Sequence, residues 1–193
     1  MNNNQQARNK SATKTNTPIH QYTNTPQPKA VVWTFTNKRE LNKKEFIDYV
    51  ERKVFRTIRK QNSLPDDKTI ILKKAKDLNT KVLIHILQTK FQVKLIPTTD
   101  NRQPTTDSSN LSQIAEDIFK EILKGNFSLT PNTQHPTPLI YLSDKEIELY
   151  AKLKNIKGTK RKQDKKIQDL FSKFLKKNPD LELNIIKAAS QLK

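Results

Sequence analysis

TIILKKAKDLNTKVLIHILQTKFQVKLI, residues 69–96, places one helix-like run between two strand-like runs. Thr69-Ile70-Ile71-Leu72 reads as a short buried strand from its β-branched content, and Phe91 to Ile96 reads as another. Between them Val82, Leu83, Ile86 and Leu87 recur at helical spacing. Strand, helix and strand in that order predict a β-α-β unit, for which a right-handed crossover between parallel strands is the default. The expected fold class is α/β.

On the N-terminal side, Ala30-Val31-Val32-Trp33-Thr34-Phe35 predicts a further strand. From Asn42 to about Gln61, the residues Phe46, Ile47, Val50, Val54 and Ile58 mark an amphipathic helix whose other face carries Arg52, Lys53, Arg56, Arg59 and Lys60. Pro65-Asp66-Asp67 reads as a turn. On the C-terminal side, residues 97–110 are Thr, Asp, Ser, Asn and Pro with hardly an apolar side chain, which predicts a linker that splits the chain. Leu111, Ile114, Ala115, Ile118, Phe119 and Ile122 then form a helix that stops at Gly125, a suitable C-terminal glycine. A second proline-bearing loop runs to Pro138, and Ser143 with Glu146 fits a capping box that opens a helix through Ile147, Tyr150, Ala151 and Leu153. Ile167, Leu170, Phe171, Phe174 and Leu175 share one face of the expected last helix, closed by Asn178-Pro179. Leu181 to Ile186 reads equally as a final strand or as a docked extension.

Composition narrows the chemistry. The 193 residues contain two glycines and no cysteine, which excludes thiolate nucleophiles, disulfides, Cys-ligated zinc and Cys-ligated iron–sulfur clusters, and leaves no Gly-rich phosphate loop. A net charge of +18 makes a polyanion the first partner to consider. No window approaches the roughly 18 apolar residues of a membrane span, so a soluble, cytoplasmic protein without a membrane partner is expected. Residues 1–30 are Asn, Gln, Thr and Pro with scattered Arg8, Lys10, Lys14 and Lys29, the composition of a disordered basic tail ahead of one domain over residues 31–193.

The three histidines, His20, His85 and His135, have no metal-ligand spacing, and His85 between Ile84 and Ile86 reads as a packing residue. Glu116, Asp117, Glu121, Asp144, Glu146 and Glu148 have lysine neighbours and read as a solvated or salt-bridged face. Neither a metal, a cofactor nor a catalytic residue is expected. Composition and spacing alone give a basic binding protein on an α/β scaffold.

Three segments carry a family resemblance. Leu41 to Lys60 resembles the first helix of the TtcA-like PP-loop proteins that 2-thiolate tRNA, with the archaeal and eukaryotic wobble-uridine branch the closer fit. Asn110 to Asn126 is similar, without gaps, to that family's N-L-D-D-E-A-Q-T-x-L-x-N-x-L-R-G-D, and Pro138 to Ile156 resembles its P-L-R-x-x-x-E-K-E-V-x-L-Y-A-x-L-x-G-I. The resemblance covers most of residues 31–188 and implies a reduced PP-loop ATPase-like scaffold with few parallel strands and several amphipathic helices.

The departures fall on the chemistry. The family binds ATP through an S-G-G-K-D-S loop after the first core strand, whereas this chain has Lys73, Lys74, Ala75, Lys76, Asp77 and Leu78. The D-D-E becomes Ser112-Gln113-Ile114, the catalytic and cluster-binding cysteines and the zinc ligands are gone, and Asn42 stands where one zinc ligand would fall. Too few residues separate Ile96 from Asn110 for the family's middle strands. The resemblance thus implies a pseudoenzyme that binds tRNA or partners an active PP-loop thiolation paralogue. A ribosome-associated, rRNA-binding structural protein is the competing expectation, and an active enzyme of unusual chemistry is the third. The RNA-facing candidates are Arg52, Lys53, Arg56, Arg59 and Lys60 on the first helix, and Lys160, Arg161, Lys162, Lys165 and Lys166 ahead of and on the later one.

Overall fold

The computed structural model describes residues 30–62, 66–99, 105–126 and 135–191. The expected N-terminal tail, and Pro65 of the expected turn, lie outside the described residues. Strand β1 (Val31–Thr34) turns through Lys38, which takes a positive φ, and pairs antiparallel with β2 (Glu40–Asn42). The pairing of Trp33 with Leu41 lets the hairpin lay Trp33 and Phe35 against Phe46 and Tyr49 of the next helix. That helix, α1 (Lys43–Lys60), begins where the Asn42 side chain accepts from the Lys44 and Glu45 amides while the Glu45 carboxylate accepts from the Asn42 amide. A reciprocal cap of this kind satisfies amides that have no partner within the helix. Asn42 is therefore a helix cap. Strand β2 was not foreseen, since three residues offer no period to read.

The β-α-β unit is as expected: β3 (Thr69–Lys73), α2 (Leu78–Leu87) and β4 (Gln92–Ile96), with β3 and β4 parallel from Thr69 beside Gln92 to Lys73 beside Ile96. A two-stranded sheet is marginal by itself. Here Ile70 and Leu72 are buried with Phe46, Val50, Val54 and Ile58 of α1, Val82, Leu83, Ile86 and Leu87 of α2, and Ile147, Tyr150 and Ala151 of α4 (Asp144–Leu153). His85 packs its ring edge-on to Tyr150, the packing role expected of it. Between the sheet and α4 come α3 (Leu111–Leu123), ended by Gly125 at φ 78°, and a loop whose Leu139, Ile140 and Leu142 are buried.

Three expectations need correction. Residues 105–110 are not a linker: the Thr106 amide donates to the Ile71 carbonyl, Thr106 lies parallel beside Leu72, and the Ser108 and Thr80 hydroxyls meet at 2.8 Å. Asn110 is fully buried, caps α3 through the Gln113 amide and donates to Asp144 at 2.6 Å. The segment is polar because its side chains satisfy caps and turns inside the domain. Secondly, of the two readings of the C-terminal segment the strand is not formed and the docked one is a helix: after α5 (Lys165–Lys177) comes α6 (Leu181–Gln191), which buries Ile186 and Ala189 against Leu111, Ile118 and Ile140. Its helical period emerges only when the segment is read through to Ala189. Thirdly, α5 buries Phe171 alone, while Ile167, Leu170 and Leu175 are half-buried and Phe174 is 47% exposed.

Asn110→Ala removes a helix cap and leaves Asp144 short of a donor, so urea denaturation should show a loss of about 1–3 kcal/mol. The exposed Thr98→Ala should stay within about 0.5 kcal/mol of the parent, as surface changes do. Equal midpoints for Asn110→Ala and the parent protein would mean that residues 105–110 are only a tether.

Candidate nucleic-acid interface

The apolar face of α1 sets where its cations go. With Val50, Val54 and Ile58 buried, Arg52, Arg56 and Arg59 fall together on the opposite, exposed side, and Lys60 extends the row. Arg52 pairs with Asp48 at 2.9 Å, an exposed contact one helical turn apart that holds the side chain only weakly. Arg56, Arg59 and Lys60 have no carboxylate within ion-pair distance among the described residues.

Lys53 departs from this set. Its ammonium donates to the Tyr49 hydroxyl at 2.6 Å and to the Glu146 carboxylate at 3.0 Å, and Tyr49 donates to the same carboxylate at 2.7 Å. Burial, reinforced by the Glu146 charge, pushes the Tyr49 phenol far above its ordinary range, so it remains a donor. Glu146 is 5% exposed and also caps α4 by accepting from the Ser143 amide and hydroxyl. Lys53 and Tyr49 therefore fasten α1 to the start of α4.

The second basic cluster divides in the same way. Lys162, Lys165 and Lys166 are exposed, and Lys160 makes an exposed pair with Glu148 at 2.8 Å. Arg161 turns inward instead, donating to Glu116, which is 4% exposed, and to both oxygens of Asp144. Lys120 adds a second cation to Glu116 at 3.1 Å. Buried carboxylates need such partners, because desolvating an unpaired charge costs several kcal/mol. Of the solvated or salt-bridged alternatives, Glu116 and Glu146 thus take the salt-bridged one and are buried, and Arg161 does not belong with the exposed lysines.

The Lys73–Leu78 stretch joins β3 to α2. Lys74 donates its amide to the Ile96 carbonyl at 2.7 Å and accepts from the Thr98 hydroxyl. Asp77 caps α2, accepting from the Thr80 amide and hydroxyl, both at 2.8 Å. The chain after α4 runs alongside: the Leu78 amide donates to the Thr159 carbonyl at 2.8 Å, and the Thr159 amide to the Lys76 carbonyl at 3.0 Å. Gly158 lies so close that a Cβ there would fall 2.7 Å from the Leu78 Cα. A helix N-terminus binds phosphate by offering free amides. Here the chain's own Asp77 carboxylate and Thr159 carbonyl take two of them, those of Thr80 and Leu78.

Beside this junction lies a cavity of about 370 Å³ of mixed character, lined in part by Ser112, Glu116, Asp144 and Arg161 and in part by Ile147 and Phe171. The Ser112 hydroxyl accepts from the Asp144 amide, a structural role for a position where the resemblance leads one to expect a carboxylate. No group of three His, Cys, Asp or Glu side chains is placed to hold a metal among the described residues. The sequence reading missed Gly158 and Thr159, although the second of only two glycines was the available signal.

An α/β scaffold with, among the described residues, one parallel strand pair set among six helices is the class that this geometry defines. No protein-family model and no curated protein sequence matches the chain. Among solved structures it is similar to the U34-tRNA thiolase NcsA from Methanococcus maripaludis with its [4Fe-4S] cluster, at a TM-score of 0.67 and 13% identity, over 84% of each chain. The fold resembles that of this thiolase. A chain without cysteine has no thiolate donors for such a cluster, so the cluster does not fit these residues.

Gly158→Ala must push the 157–160 segment off α2, and a loss of about 1–3 kcal/mol in thermal or urea unfolding is expected for such overpacking. Retention of full stability would show that the Leu78–Thr159 contact is loose enough to open.

Proposed function

We propose that this chain is a non-catalytic relative of the tRNA-thiolating PP-loop enzymes that binds tRNA, alone or alongside an active thiolase. The observation that carries the proposal is the N-terminus of α2, where Asp77 and Thr159 occupy the Thr80 and Leu78 amides, two of those that a helix N-terminus would offer to phosphate. The scaffold shared with a U34-tRNA thiolase supports tRNA as the ligand. The cationic row Arg52, Arg56, Arg59 and Lys60 supports binding through phosphates, and Lys162, Lys165 and Lys166 form a second exposed surface of the same sign. No described helix is long and apolar enough to cross a membrane, and a cytoplasmic site of action goes with this reading.

Binding of a tRNA transcript measured at a series of salt concentrations tests it. Replacing Arg52, Arg56 and Arg59 together by Gln should weaken binding, and the log–log salt slope should shrink by about one unit for each phosphate that is no longer neutralised. Folding should change little, because these charges are exposed. An unaltered affinity and slope in the folded triple variant would transfer the proposal to a protein partner. Co-sedimentation with ribosomes in place of tRNA binding would favour an rRNA ligand. Release of pyrophosphate from ATP by the purified protein, or stoichiometric iron or zinc in it, would overturn the non-catalytic assignment.

A further inference from the structure

Between the β1–β2 hairpin, α1 and α6 runs a groove of about 600 Å³, within the range of sites that hold small organic ligands. It brings the rings of Trp33, Phe35 and Tyr141 together with the cations of Arg56, Lys60 and Lys187. Tyr141 is 39% exposed, and Trp33 and Phe35 are half-buried. Arg56, Lys60 and Lys187 are exposed, with no carboxylate within ion-pair distance among the described residues. The carboxylates at the groove are unevenly placed: Glu146 is neutralised by Lys53, and Asp180 and Glu182 lie at the start of α6.

Aromatic faces beside mobile cations are what an unpaired nucleotide requires, because every base has a face to stack and every linkage carries a negative phosphate. A duplex hides its base faces and would meet only the cations. The geometry points to a site for unpaired nucleotides of an RNA strand: bases stack at Tyr141, Phe35 and Trp33, and the strand's phosphates follow Arg56 and Lys60. The exposed Asp180 just ahead of α6 repels phosphate, which orients the strand toward the α1 side. This inference rests on the proposed RNA binding and adds to it the part of the RNA that is held.

Trp33 is the only tryptophan of the chain, so its fluorescence reports on the groove directly. The full chain is titrated with a single-stranded oligouridylate and, separately, with a blunt RNA duplex of the same length. The single strand should quench Trp33 and the duplex should not. Tyr141→Ala should weaken the single-strand complex by about tenfold, as removal of one stacking partner does, with the salt slope kept. Tyr141→Phe should restore binding, and Arg56→Gln with Lys60→Gln should lower the salt slope for both RNAs. If Tyr141→Ala unfolds, the fluorescence of the parent protein decides by itself. Saturation with single strand that leaves Trp33 unchanged, or equal quenching by duplex, overturns the groove while leaving phosphate binding by the α1 row intact. Failure of both RNAs to bind overturns both readings.

Discussion

The backbone pairing of Leu78 with Thr159 is the contact on which the arrangement of α2, α3 and α4 depends. It fixes the chain that leaves α4 against the start of α2, and only a glycine at 158 allows that approach. Two residues further on, Arg161 reaches Glu116 of α3 and Asp144 of α4. Asp144 in turn accepts from Asn110, the cap of α3, and its amide donates to the Ser112 hydroxyl. One stretch of chain therefore ties three helix N-termini into a single polar cluster. Such a cluster is stable only when every member has a partner, because an unpaired buried charge costs more than the pair contributes.

This requirement divides the positive charge into two populations. Lys53 and Arg161 neutralise Glu146 and Glu116, and their positions are set by the interior. Arg56, Arg59, Lys60, Lys162, Lys165 and Lys166 meet solvent. An excess of +18 cannot be balanced within the molecule, and the exposed population is what an external polyanion would encounter. Sequence spacing assigns both populations the same character. Lys53 and Arg56 are three residues apart on α1, yet only the first has a buried acid from another helix beside it.

That distinction marks the limit of what was legible in the sequence. The β-α-β unit, α1, the Gly125 stop and the Ser143–Glu146 cap were readable because each is a local pattern of period, φ preference or hydrogen-bonding geometry. The partners of Arg161, the closure of α2 by Thr159 and the inward role of residues 105–110 depend on groups far apart in the chain. The loop containing Thr106 looks like a linker because polar composition does not say whether water or protein satisfies the polar groups. Helix α6 is ambiguous over six residues and plain over nine, since Leu181, Ile185 and Ala189 lie one turn apart. The weak burial of α5 is hidden for the opposite reason: its period is clear, but period does not report how much neighbouring surface is available to cover it.

The small sheet shows what holds a scaffold of this kind together. Two parallel strands cannot stand alone, so β3 and β4 persist because α1, α2 and α4 cover them with aliphatic side chains. That packing places no demand on the β3–α2 junction beyond a turn and a helix cap, and Asp77 provides the cap. Glycines at such a junction carry a conformational cost that only phosphate contact justifies. With a carboxylate and a neighbouring carbonyl accepting from two of the helix's first amides, lysines and alanine are stable occupants of the turn. Fold similarity at 13% identity is intelligible in these terms, because core burial and capping preserve the architecture while the residues between them are free to change.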